Sequence, residues 1–224
     1  AGPIPIITDA AHAIEAQYHG RLSGQLGIVQ CYSFYANKNI TTGEGGMLTT
    51  NDPEIAALAR ILRLHGMTKD AWSRYGPAGY KHWDIVAPGW KYNMSDVAAA
   101  LGLAQLAEID GWHEQRITLD MTYRHLIGNY NGTLVQNDDE GVMSARHLLV
   151  VRVRERDRVM EEMQRRGVGV GVHFRAVHKL KYYGEKYQCG DLPVAESVSG
   201  EVLSLPLYPS MTVPDVYHVV DAFR

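Results

Sequence analysis

Apolar and polar positions fall in blocks along this chain, and the blocks predict its elements. Ile4 to Thr8 is a short continuous apolar run, the pattern of a strand buried on both faces of a parallel sheet. It ends at Asp9 and passes into residues 10–16, which are mostly helix-compatible. Gly27 to Phe34, rich in Ile, Val, Tyr and Phe, predicts a second strand, and Met47 to Thr50 a short third. From Asp52 the period turns helical: Asp52 suits an N-cap, Pro53 the first helical position, and Ile55, Leu58, Ala59 and Leu62 share one face. Residues 66–92 are rich in Gly, Pro and aromatics without periodicity, which predicts a long surface loop. Ser95 stands where it would cap a helix from Asp96 to about Ile109. Apolar residues surround much of that helix's axis, so it is expected to be deeply buried.

The second half has the pattern of a separate unit. A helix is expected over Trp112 to Tyr130, then a polar turn at Gln136 to Gly141. Strand His147 to Val153, helix Asp157 to Arg166 and strand Val168 to Phe174 follow, with Gly167 where a helix end favours positive φ. This β-α-β order suits a small α/β layer domain.

Composition narrows the function classes. The 224 residues carry 22 basic and 25 acidic side chains, for a net charge of −3. The densest basic stretch, Arg152 to Arg166, is interrupted by Glu155, Asp157, Glu161 and Glu162, so it reads as a solvated helix face and not as a nucleic-acid surface. Two cysteines, Cys31 and Cys189, form no CxxC pair, and the ten histidines show no HxxxH or HExxH spacing. Neither a disulfide framework nor a metal site is indicated, and a reducing, cytoplasmic setting fits. No apolar run approaches the ~20 residues that span a bilayer, so no membrane partner is expected. A chain that opens on Ala1-Gly2-Pro3 and enters a core-like strand at once reads as part of a longer one.

The chemically informative stretch runs from Ser33 through Lys38 to Gly46. Alone, a lysine between a strand and a glycine-rich turn is a surface residue, and Asp9 alone is a helix N-cap. Together they suggest a site for pyridoxal phosphate. That cofactor needs an amine to condense with its aldehyde, which Lys38 offers, and small donors such as Ser33 for its phosphate. It also needs a carboxylate beside its pyridine nitrogen, favouring the protonated, electron-withdrawing ring; Asp9 lies at the carboxyl end of a buried strand, where such sheets bind ligands. His12, three positions on, would meet the ring or its hydroxyl.

Those residues stand in a wider pattern. It comprises Asp9-Ala10-Ala11-His12-Ala13, Gly20 and Gly24, Ser33-Phe34 with Lys38-Asn39, Gly43-Glu44-Gly45-Gly46, and Arg63-Leu64-His65-Gly66. Gly89 to Asp96, Ala99 to Gly102, Gln105-Leu106, His147-Leu148, Gly167-Val168-Gly169, His173-Phe174 and Leu203 to Leu207 continue it in order. The whole resembles the DegT/DnrJ/StrS sugar aminotransferases. Gly171 to His178 and Lys181 to Tyr183 look closest to the UDP-4-amino-4-deoxy-L-arabinose aminotransferases.

The resemblance implies an α/β fold of type I, the aspartate-aminotransferase architecture, with residues 1–111 as the rear of the cofactor-binding large domain. Residues 112–224 would be an interdomain helix and a small C-terminal α/β domain, and the front of the large domain would be missing. It implies a homodimer with shared active sites. Lys38 matches the Schiff-base lysine, Asp9 the partner of the pyridine nitrogen, and His12 a residue beside the ring. Ser33 matches a phosphate-binding hydroxyl, and Asn93 the asparagine that reaches the other subunit's phosphate. His173, with His178 near it, falls where a histidine approaches the substrate. The implied reaction moves an amino group from glutamate to a nucleotide-linked keto-sugar for cell-envelope or polysaccharide synthesis. The competing expectations are a catalytically incomplete fragment or a sugar-binding or regulatory relative of the same fold, and a plain α/β domain with a solvated Lys38.

Overall fold

The computed structural model describes residues 4–68, 82–128, 132–134, 137–188 and 190–224. The chain forms two compact units, one of residues 1–109 with 141–145 and one of residues 110–140 with 146–224.

In the first unit, β1 (Ile7–Asp9) pairs in parallel with β4 (Val29–Ser33), which pairs antiparallel with β5 (Gly46–Thr49). The register sets Asp9 opposite Cys31 and Ser33 opposite Gly46. Between β1 and β4, β2 (Gln17–Tyr18) and β3 (Arg21–Leu22) form a small ribbon joined by β7 (Val142–Met143). Helix α1 (Pro53–Leu62) starts as its cap predicts: the Asp52 carboxylate accepts from Glu54 N at 2.8 Å and Ile55 N at 3.1 Å. Helix α2 (Asp96–Leu106) begins at Ser95, whose Oγ accepts from Ala98 N.

Three expectations fail in this unit. The first strand is not buried on both faces: Ile4, Ile6 and Ile7 are exposed. Residues 10–16 are turns, not a helix, because Asp9 Oδ1 accepts from Ala11 N at 3.0 Å and the chain continues as short turns, Ala13 N to Ala10 O and Ala16 N to Ala13 O. That local side-chain bond competes with a helical start. Helix α2 holds no buried residue; Val97 is 84% and Leu103 68% exposed. An all-round apolar helix needs a covering layer, and the described residues supply none. Of the expected loop at 66–92, residues 69–81 lie outside the described residues, while the flanks are tied by the bridges Leu64–Lys91 and Met67–Ile85.

The second unit is an antiparallel sheet under helices. Strand β8 (Leu149–Val153) lies between β6 (Gly132–Leu134) and β9 (Val202–Leu205). Helices α3 (Ile109–Ile127), α4 (Arg156–Arg165) and α7 (Val213–Phe223) supply Leu119, Tyr123, Met163, Val216 and Val220 to a core with Leu149, Val151 and Leu203. Along β8 the side chains alternate inward and half-buried, as period two requires. Deep in the unit, Asp120 accepts from Arg124 Nε at 2.8 Å and Tyr123 Oη donates to Pro206 O at 2.9 Å. The last segment carries α5 (Lys181–Tyr187) and α6 (Pro193–Glu201).

The expected strand Val168 to Phe174 is reduced to one bridge, Gly171 to Ser204; since that bridge and the β8–β9 pairing are both antiparallel, the segment runs parallel to β8 with β9 between them, a β-α-β course whose second strand is a single bridge. Gly167, Gly169 and Gly171 offer no side chains to pack on a sheet, and glycine weakens a strand interior. Gly167 does take positive φ, +79°, at the end of α4.

Candidate active site

The site begins at the carboxyl end of the only parallel pair among the described residues. Asp9 is the last residue of β1 and Ser33 the last of β4. Because Asp9 faces Cys31, and Ser33 is two positions beyond Cys31, both side chains stand on one face of the sheet. From strand rise and spacing their Cα atoms are about 8 Å apart. Asp9 is exposed; one carboxylate oxygen holds the Ala11 turn. The Ser33 hydroxyl accepts from Tyr35 N at 3.4 Å. His12 is exposed in the turn that follows β1.

Lys38 sits in the loop that leaves the same end of β4. The neck of that loop is double: Phe34 N donates to Gly45 O and Thr42 N to Phe34 O, both at 2.9 Å. Gly43 takes φ of +80°, which lets the chain turn back into β5. Ile40 is buried at 3% exposure and roots the loop in the unit. Lys38 N donates to Tyr35 O at 3.0 Å, while the half-buried side-chain amine has no hydrogen bond or ion pair among the described residues.

Three polar residues to which the sequence assigned no role hold this loop. Asn39 Nδ2 donates to the buried Glu15 carboxylate at 2.7 Å and to Ala145 O at 3.0 Å. Gln105, on α2, accepts from Thr41 N at 3.0 Å and donates to Thr41 O at 2.7 Å. Their signal in the sequence is a lone polar position in an apolar run: Glu15 follows Ala13-Ile14, and Gln105 interrupts α2.

Asn93 is half-buried ahead of α2, with its Oδ1 accepting from the Lys91 ammonium. The neighbouring Met94 packs near Gly45: a Cβ built there would lie 3.2 Å from Met94 Cε.

The two predicted substrate residues belong to the second unit. His173 Nδ1 is 2.8 Å from Ser204 Oγ on β9, and its ring meets Phe174 edge-on. His178 is committed to a carboxylate: its Nε2 is 3.1 Å from Glu196 Oε1, and its side chain is only 9% exposed. Glu196 also meets Lys179 Nζ at 3.0 Å and Leu192 N at 3.1 Å. The Lys179 bond first, then those from Leu192 and His178, hold its carboxyl at a pKa of about 2.

This set fits pyridoxal phosphate by its chemistry. Lys38 offers an amine with no partner among the described residues, Asp9 a carboxylate with one oxygen in the turn, and Ser33 a hydroxyl, all at one end of the sheet. Among the described residues no group of three or more His, Cys, Asp or Glu side chains is placed to hold a metal ion. No helix among them is long and apolar enough to cross a membrane.

Comparison with known proteins gives the same direction. The chain is 39% identical over 228 residues to the spore coat polysaccharide biosynthesis protein SpsC of Bacillus subtilis, covering 98% of this chain and 59% of SpsC. An uncharacterised protein of Methanocaldococcus jannaschii is 39% identical over 227 residues, again with 98% and 59% covered. The chain thus spans about three-fifths of the length of these curated relatives. Among solved structures, the putative sugar aminotransferase Spr1654 of Streptococcus pneumoniae, in its PMP form, superposes with a TM-score of 0.87 at 30% identity over 98% of this chain and 58% of that one. DesV of S. venezuelae, in complex with a ketimine intermediate, gives 0.86 at 30% identity, with 98% and 57% covered. The fold is therefore that of the type I sugar aminotransferases, as the resemblance implied. A family model matches residues 2–224, almost the whole chain, and so this chain belongs to the DegT/DnrJ/EryC1/StrS aminotransferase family.

Proposed function

We propose that this chain carries the cofactor-binding half of a pyridoxal-phosphate sugar aminotransferase. The carrying observation is that the loop of Lys38, whose amine has no partner among the described residues, leaves the sheet at the end where Asp9 and Ser33 share a face. When bound, the cofactor would supply an electron sink for the substrate carbon and a temporary carrier for nitrogen. Lys38 would bind it through Nζ. Asp9 would keep a proton on the ring nitrogen through its carboxylate. Ser33 would orient the phosphate by donating from its hydroxyl. Lys38 Nζ would also hold and move the proton of the donor's α-carbon. His12 would lie along the ring.

The substrates follow from the resemblance and from SpsC's named place in spore coat polysaccharide biosynthesis. We propose glutamate as donor and a nucleotide-linked keto-sugar, of the UDP-4-keto type, as acceptor. In the net exchange the donor's amino group replaces the sugar's carbonyl oxygen, glutamate becomes 2-oxoglutarate, and no oxidant is consumed. His173 would face the sugar. His178, bound to Glu196, would fix the chain between them. A cytoplasmic homodimer, with Asn93 reaching the second copy's phosphate, is part of the same proposal.

The test is stoichiometric. The protein supplied with pyridoxal phosphate, glutamate and a UDP-4-keto-sugar should release 2-oxoglutarate and amino sugar one for one, and Lys38→Ala should release neither. Equal turnover by Lys38→Ala would refute the role of Lys38. A folded protein that binds the sugar without turnover would favour the catalytically incomplete relative.

A further inference from the structure

We infer that Gln105 is a positioning residue for Lys38: it sets the backbone of the lysine loop so that the amine stands ready to capture an aldehyde. The inference rests on the reading of Lys38 given above and adds a residue to it.

The geometry is specific. Gln105 accepts from Thr41 N at 3.0 Å and donates to Thr41 O at 2.7 Å, so one side-chain amide closes on both backbone groups of one residue. A carboxamide offers a donor and an acceptor side by side in one plane, and an ionised carboxylate of the same shape offers acceptors only. The same Nε2 also reaches Leu101 O at 3.2 Å, within its own helix, which steadies the amide. Helix α2 approaches closely at this point because Gly102 is bare: a Cβ there would come to 3.2 Å from the Thr42 methyl.

Thr41 is three residues after Lys38, and its remaining polar atom is in use as well. Its hydroxyl donates to Phe34 O at 3.3 Å and accepts from Gly43 N at 2.9 Å. The Gln105 clasp therefore extends the neck at Phe34 to the shoulder of the loop, with Asn39 held on the side next to Lys38. A loop pinned at both sides of Lys38 restricts where Nζ can travel. Covalent capture, in which the amine nitrogen bonds the aldehyde carbon and the aldehyde oxygen leaves as water, gains from such pre-setting. Pyridoxamine phosphate has no aldehyde and gains nothing from it.

The two cofactor forms thus separate positioning from general structure. Dissociation constants for pyridoxal phosphate and pyridoxamine phosphate are measured on the wild-type protein and on Gln105→Ala, each checked for folding by thermal unfolding without cofactor. Gln105→Ala should bind pyridoxal phosphate about tenfold more weakly and pyridoxamine phosphate unchanged. Gln105→Glu, which keeps the shape but cannot donate to Thr41 O, should show the same selective loss and serves if the alanine variant does not fold. Equal losses for both forms, or none for either, overturn the positioning role. Borohydride trapping on the wild-type protein keeps the two claims apart. No pyridoxyl group on Lys38 there sinks the reading beneath, whereas a labelled wild type with unselective variants sinks only this inference.

Discussion

Tyr123 shows how much a single polar atom can matter in this molecule. Its ring has no exposed surface, and its hydroxyl donates to Pro206 O at 2.9 Å. Burial, and after it the neighbouring Tyr208 and Asp215, push the phenol's pKa above its usual value. Tyr123→Phe keeps the ring and strands the carbonyl, so chemical denaturation should report a loss of about 1 kcal/mol; an unchanged midpoint would show that the bond contributes nothing. At this scale the sequence offers residue types whose chemistry belongs together, and the fold brings the ends of β1 and β4 to one end of a sheet. An amine, a carboxylate and a hydroxyl in one ordered pattern pointed to Lys38, Asp9 and Ser33. Glu15, Asn39 and Gln105 were visible only as polar letters in apolar surroundings, because what they bond lies 24 to 106 positions away. The tie of His178 to Glu196 was hidden in the same way, since its partner is 18 positions on.

Among the elements, the run from the turn at Val177–Lys179 to α6 depends on Glu196, which joins Lys179, His178 and Leu192. Its pKa is lowered from 4.5 to about 2. A lowered carboxylate pKa means the unfolded chain binds the proton first, so the contribution is whole above pH 4.5, shrinks below it, and is gone once pH falls through about 2. The stability difference between wild type and Glu196→Gln, followed against pH, should be flat above that window and close within it. A difference that grows on acidification would contradict the assignment. Helix α1 was legible to its cap because capping is local. Helix α2 was legible in extent but not in burial, since what covers a helix is not written in the helix. Residues 10–16 went the other way: helix-compatible letters yielded to an Asx turn at Asp9 and to the bond that holds Glu15.

As a whole molecule, the chain concentrates its burial unevenly. The core cluster belongs to α3, α4, α7, β8 and β9, whereas α1 and α2 contain no buried residue. Local stability follows such packing. Amide exchange should be slowest in α3, β8 and β9 and faster in α1 and α2; equal protection throughout would contradict that distribution. The overall fold was legible because several motifs in fixed order are shared with a family of known architecture. The place of β9, between β8 and the segment at Gly171, was not, since Val202–Leu205 lies about fifty positions after β8, and glycines at 167, 169 and 171 cut the expected strand to one bridge.

The proposed chemistry turns on Lys38 as the amine that would hold the cofactor. Incubation with pyridoxal phosphate, reduction with borohydride, digestion and mass spectrometry address it directly. One pyridoxyl group is expected, on the peptide containing Lys38. A label on another lysine, with Lys38 unmodified, would contradict it.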